Sequence, residues 1–205
     1  KGTLRLRDMT PIIASRTCLR LARVLAPFAA AAACWACDDP FAPRADQPNS
    51  IQSFAASALT GTPTNAPAAL QFVNKAITRI DGGLDFDLAF DIDRQNRPVL
   101  LPLGMVGTPV GGARLVGLQR MVGNFDAVTE APKSGYVFDS VMVVQPGAVI
   151  AIQAQESICQ FSLTPYVFAK IVIDSLNLST RTLYGHALIN LNCGFRQLTP
   201  GTPTF

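Results

Sequence analysis

Residues 84–93, LDFDLAFDID, alternate strictly, with Phe86, Leu88, Phe90 and Ile92 on one side of an extended chain and Asp85, Asp87, Asp91 and Asp93 on the other. A period of two is that of a half-buried strand. Similar strand-length runs follow. Residues 98–106 (PVLLPLGMV) carry Pro102, which cannot donate to a ladder and predicts an edge or bulged strand. Further strands are predicted over 113–122, 136–144, 148–155, 166–174 and 182–192. Turn residues stand between them at 94–97, at Gln145-Pro146-Gly147 and at 177–181. Residues 68–80 are ambiguous. Leu70, Val73, Ile77 and Ile80 recur at helical spacing behind an Asn65 cap, yet they run into the hairpin-type turn Asp81-Gly82-Gly83, so a short helix and an opening strand both fit. The whole pattern predicts an all-β domain over 67–205, an antiparallel β-sandwich (Ig-like or similar) of about seven to eight strands.

The chain before this domain has a different character. Residues 16–39, RTCLRLARVLAPFAAAAACWACDD, place Arg16, Arg20 and Arg23 ahead of a short apolar run, 24–33, and a small-residue stretch ending at Cys34 and Cys37. This is the layout of an export signal, over residues 1–36, with residues 1–8 read as upstream of a start at Met9. The apolar run is shorter than the roughly 20 residues that cross a bilayer. Residues 37–66 are rich in Pro, Ala, Ser, Thr and Asp and bury too little to offset ordering entropy, which predicts a flexible tether. Within it, 50–59 has enough apolar residues to pack as an edge segment.

The signal resembles that of bacterial lipoproteins, in which the peptidase cuts before a cysteine whose sulfur carries the lipid. Ala31, Ala32 and Ala33 precede Cys34, while Cys37 is followed by Asp38, Asp39 and Pro40. The resemblance implies a lipid on Cys37 or Cys34; cleavage without a lipid is the alternative. The strands FDLAFDID and YVFAKIVID, with the tail Cys193-Gly194-Phe195-Arg196, are also similar to parts of uncharacterised envelope lipoproteins. What this implies is location, exported and anchored to the bacterial cell envelope, and no particular activity.

Removing the signal changes the charge. Of 17 Lys and Arg, six precede Cys37, as does one of 14 Asp and Glu, leaving 11 against 13, a net charge of −2. The remaining basic residues are scattered singly, which argues against a nucleic-acid partner. The expected partners are the membrane, through the N-terminal lipid, and an envelope protein. Cysteine use agrees with export. Cys18, Cys34 and Cys37 lie in the signal, and Cys159 and Cys193 alone remain in the domain, where an oxidising compartment makes a disulfide the simplest state.

Candidate chemistry is sparse, and no cofactor or catalytic set is assigned. The row Asp85, Asp87, Asp91 and Asp93 is a weak calcium candidate; it lacks the EF-hand pattern, and its plainer reading is a solvated strand face. His186 has no G-x-S-x-G serine to serve and reads as a sheet residue. Asp174 and Glu156 become an acid and base pair only if the fold joins them. The glycines of 104–117 lack the Walker lysine and the dinucleotide pattern and read as turns and bulges. Pro200 and Pro203 interrupt the final segment, against an outer-membrane barrel strand. The expected role is a binding or structural module rather than an enzyme. A secreted ligand- or glycan-binding sandwich, with Tyr136, Phe138, Tyr166 or Phe168 lining a pocket, is the alternative, and a hydrolase is less favoured.

Overall fold

The alternation of residues 84–93 is realised near the middle of one of two sheets in a computed structural model, which describes residues 43–108 and 114–204. The chain forms β1 (Ile51–Ser57), β2 (Pro67–Gln71), β3 (Ala76–Arg79), β4 (Leu88–Ile92) and β5 (Pro98–Pro102), then a single helical turn α1 (Leu103–Val106). After it come β6 (Val116–Arg120), β7 (Met142–Val143), β8 (Val149–Gln155), β9 (Tyr166–Asn177) and β10 (Thr182–Asn190). The first sheet has the order β1-β10-β9-β8-β6 and the second β3-β2-β4-β5-β7, with antiparallel pairing throughout. The all-β antiparallel sandwich expected from the pattern is the fold, with ten strands among the described residues. The signal over 1–36, with Cys34 and Cys37, lies outside them, as does the start of the 37–66 segment.

Three local expectations are sharpened. Of the two readings of residues 68–80 the strand is realised, as a hairpin in which Leu70 and Ile77 are opposed partners across β2 and β3. The turn between them closes with Lys75 N–H on Phe72 O and a left-handed Lys75. The helical spacing is therefore a coincidence of hairpin geometry. The composition-based tether does not extend to residue 66: β1 pairs with β10 over seven residues, and Phe54 packs 5.2 Å from Phe90 of the facing sheet. The packing of the half-buried Phe54 on the buried Phe90, one from each sheet, outweighs the polar composition around β1, as the packed alternative for 50–59 anticipates. Finally, the 136–144 strand reduces to β7, and Gln145-Pro146-Gly147 links strands of different sheets. Val137 bridges Leu118, so residues 136–138 lie against the first sheet instead of extending the second.

Two apolar clusters result. The larger fills the space between the sheets, with Leu70, Leu88, Phe90 and Leu100 facing Ile150, Ile152, Ile171 and Leu183. The smaller lies on the outer face of the first sheet, where Phe125, Val128, Tyr136 and Leu198 cover Ala151, Phe168, Val172 and Leu188. Gly117 permits this second layer, because a Cβ there would meet the Phe138 ring at 2.6 Å. Lys170 points into it fully buried, donating to the carbonyls of Phe125 and Val128, with its ammonium 4.1 Å from the Phe125 ring centre. Burial lowers the pKa of this lysine, opposed by the nearby charge of Asp126.

The registers also sort the loops into two ends. Gln155 opposes Tyr166, Ile51 opposes Leu188 and Val116 opposes Ala154. The proximal end therefore gathers residues 44–50, the start of β6, the 156–165 loop and the chain after β10. Asn192 fastens it: its Oδ1 accepts from the N–H groups of Asp46 and Gln47 at 2.7 and 3.0 Å, and its Nδ2 donates to Gln47 O at 2.8 Å. Next to Asn192, Cys193 is disulfide-bonded to Cys159, 34 residues away in sequence.

Closing a loop of that length constrains the unfolded chain. Cys159→Ala/Cys193→Ala is expected to lower the unfolding free energy by about 3–4 kcal/mol in the chain-entropy description. Urea denaturation without reductant measures it, and a loss under about 1 kcal/mol would contradict the account.

Candidate functional site

The most unusual chemistry in the domain is a buried carboxyl pair at the proximal end. Asp87 immediately precedes β4, where its N–H donates to Leu70 O and its carbonyl accepts from Leu103 N–H, each at 3.0 Å. These two bonds turn its side chain inward. There Oδ2 accepts from Phe72 N–H at 2.7 Å, a donor that the short β2 leaves outside the ladder. Glu156 comes from the other sheet, directly after β8. Its N–H donates to Pro165 O at 3.2 Å and its carbonyl accepts from Cys159 N–H at 3.0 Å, closing the turn that leads to the disulfide. Both carboxyl side chains are fully buried.

One cation serves the two acids. Arg114, just before β6, donates through Nη1 to Glu156 Oε2 at 2.8 Å and through Nη2 to Phe86 O at 2.9 Å. Its Nη2 also lies 3.5 Å from Asp87 Oδ1 and 3.6 Å from Asp85 Oδ1. Two buried carboxylates beside one guanidinium would leave a net negative charge in the interior, a costly arrangement. Burial pushes Glu156 up to about 8; the hydrogen bond to Asp87 and the charge of Asp87 add to this, and Arg114 opposes it. At neutral pH these influences favour the protonated form of Glu156 beside Asp87. Asp87 Oδ1 and Glu156 Oε1 are buried with no donor from any other described group, so a proton on Glu156 would give the pair a hydrogen bond it otherwise lacks.

Such a pair has the raw material of acid and base chemistry, but it has no substrate access. Arg114 is the member that reaches the surface, with about a fifth of its side chain exposed. Outside it stands Asp85, 82% exposed, at the rim of an open polar groove of about 490 Å³ lined by Gln71, Asn74, Arg79 and Asp81. The arrangement bridges the two sheets through a buried acid pair and a guanidinium.

The aspartate row of the sequence is dispersed. Asp85 and Asp87 lie at the proximal end, and Asp87 is buried instead of solvated, because Phe72 N–H and Arg114 both require an acceptor there. At the distal end Asp91 accepts from the N–H and hydroxyl of Thr60 at 3.0 and 2.6 Å. Asp93 caps the 93–97 turn, accepting from Gln95 and Arg97 N–H groups at 2.9 and 2.8 Å. Among the described residues no group of three or more His, Cys, Asp and Glu is placed to hold a metal ion. Asp174 and Glu156 are not brought together. Asp174 sits at the distal part of β9 and takes His186 instead, Nδ1 to Oδ2 at 2.9 Å, with the His186 ring 4.3 Å from that of Phe125.

The four aromatics expected in a pocket pack into the outer cluster, with Tyr136 and Phe168 centred 6.5 Å apart. Tyr136 donates to Pro132 O at 3.1 Å, and burial pushes its hydroxyl pKa upward. None of the four lines the polar groove or the shallow groove of about 390 Å³ between Thr129 and Arg196. Sequence reasoning offered Asp174 and Glu156 as a pair only if the fold joined them, a condition the fold does not meet, and it missed Arg114, Lys170 and the pairing of Glu156 with Asp87. Its one usable signal was isolation: Glu156 is the sole charged residue in 148–163, and Lys170 the sole one in 157–173. No protein-family model, curated protein or solved structure matches the chain.

The pair has a signed pH signature. The folded pKa of Glu156 lies above its unfolded value of 4.5, so between about 4.5 and 8 the unfolded chain binds fewer protons and stability falls as pH rises. Glu156→Gln keeps a neutral donor and removes the titration. The wild-type stability minus that of Glu156→Gln is expected to fall by a few kcal/mol, in order of magnitude, across that window. Thermal or urea unfolding at several pH values checks it, and a flat or rising difference would refute the shared proton.

Proposed function

We propose that the protein is exported and tethered to the bacterial cell envelope by a lipid on Cys37 or Cys34, where its sandwich acts as a binding or structural module. The observation that carries this reading is the Cys159–Cys193 disulfide, because such bonds persist in oxidising compartments. The lipoprotein-like segment upstream of the domain supports the same location. Among the described residues no helix is long and apolar enough to cross a membrane, so attachment in this reading is assigned to the lipid.

A binding role suits the open edges better than a catalytic one suits the site. Strand β1 lies at the outside of the first sheet, and its sequence IQSFAAS has neither charge nor proline. A seven-residue edge of that kind can accept a strand from an envelope protein partner. The carboxyl pair is sealed, and the His186 and Asp174 pair lies on the sheet surface rather than in a cleft. These features support a module rather than a hydrolase.

Intact mass and N-terminal mapping of the protein expressed in a bacterial host test the reading. The expected result is a mature chain starting at Cys37 or Cys34 with a diacylglycerol-type mass increase, lost in Cys37→Ser or in Cys34→Ser but not in both. An unmodified start in all three proteins would refute the anchor and leave a freely secreted domain.

A further inference from the structure

The 157–164 loop, SICQFSLT, projects from the proximal end with its largest apolar side chains outward. Phe161 is 94% exposed and Leu163 99%, and Ile158 and the adjacent Leu115 are about half exposed. Leu115 joins this group through its carbonyl, which accepts from Gln155 N–H at 2.8 Å. A solvated surface rarely carries such a group without a use, and the loop has no charged residue to suit an ionic partner. Nor is it a floppy excursion. Cys159 is fully buried and disulfide-bonded to Cys193, Ser162 N–H donates to Cys159 O at 2.9 Å, and Gly194 packs under Thr164, leaving 3.1 Å to a Cβ placed there. The loop is a braced platform for Phe161 and Leu163.

The same platform is where the chain enters the domain. Asn192, beside Cys193, binds the N–H groups of Asp46 and Gln47. Eight residues lie between Cys37 and Asp46, nine steps along the chain, a reach of at most about 32 Å when fully extended. A lipid on Cys37 therefore holds the proximal end close to the bilayer. We propose that Phe161 and Leu163, flanked by Ile158 and Leu115, insert into the interfacial region of the membrane that carries the anchor, as a second, uncharged contact that orients the sandwich. This rests on the lipid-anchor reading for its geometry. An aromatic and an aliphatic side chain at a loop tip, with no basic residue in the loop, match a zwitterionic interface and make the contact insensitive to salt.

The distal end supplies an internal control. Val122, beyond β6, is 98% exposed, and the run of β6 places it roughly 20 Å from Leu115. Phe161→Trp and Val122→Trp, each in a Trp35→Phe background of the full chain, are reconstituted into phosphatidylcholine vesicles with and without brominated acyl chains. Insertion predicts that the Phe161→Trp emission shifts to the blue, is quenched severalfold by brominated lipid and is protected from aqueous acrylamide. The Val122→Trp emission stays water-exposed, and added salt changes neither. Protein that carries the lipid and remains on the vesicles, but whose Phe161→Trp emission stays water-exposed, would overturn insertion and leave the anchor standing. Protein without the cysteine-borne lipid would remove the anchor, and in that case an unshifted Phe161→Trp emission overturns insertion as well. Concentration-dependent dimers that Phe161→Ser/Leu163→Ser abolishes, without quenching by lipid, would overturn it in favour of a contact between two copies.

Discussion

The sandwich is braced at its proximal end by a buried acid pair beside one guanidinium, an arrangement that favours a proton on Glu156. Asp87 and Glu156 arrive from opposite sheets, and Arg114 reaches both. Without a proton the pair would repel across a space that water does not enter. With it, two buried acids and the half-buried Arg114 satisfy one another and Phe72 N–H, linking the two sheets. Apolar packing between the sheets is larger in total, but it is non-directional. The carboxyl pair adds a directional constraint, and its neighbours extend it: Glu156 leads to Cys159, Cys159 to Cys193, and Asn192 to the incoming chain at Asp46 and Gln47.

This chain of contacts explains why the functional features cluster at one end. The braced loop with Phe161 and Leu163, the point at which the upstream segment meets the domain, and the sealed carboxyl pair all belong to it. The distal end is built differently, from short turns in which Asp93 and Asn177 accept from local backbone N–H groups, while Arg181 donates across to the carbonyl of Ile92. In the proposed setting the first end faces the membrane and the second faces outward. Lys170 plays the matching part on the outer face of the first sheet. Its ammonium takes two carbonyls of the covering segment and holds that segment on the sheet without an acid partner in hydrogen-bond contact.

Fold class was legible because burial imposes a period of two on a strand whatever its partners. The runs that became β8 and β9, buried on both faces, were legible instead as continuous apolar stretches bounded by turn residues. Ambiguity arose where a local pattern has two solutions. Leu70 and Ile77 are seven apart, which suits two helical turns and equally a hairpin that closes between them. Strand β1 was nearly lost in a polar composition because what orders it, Phe90 and the edge of β10, lies elsewhere in the chain. The candidate site was the least legible part. Asp87 looks like the other aspartates of its row, and its burial depends on Phe72, Arg114 and Glu156, which are 15, 27 and 69 residues away in sequence. Nothing local in a sequence records such a pairing.

The most direct test of this account is a carbon-13 NMR titration of the Glu156 side-chain carboxyl, assigned by its absence in Glu156→Gln. The account predicts a protonated carboxyl at pH 6 that titrates near pH 8, well above the ordinary glutamate range. A Glu156 resonance already ionised at pH 6 would contradict it, because the two sheets would then be joined by an arrangement other than a shared proton.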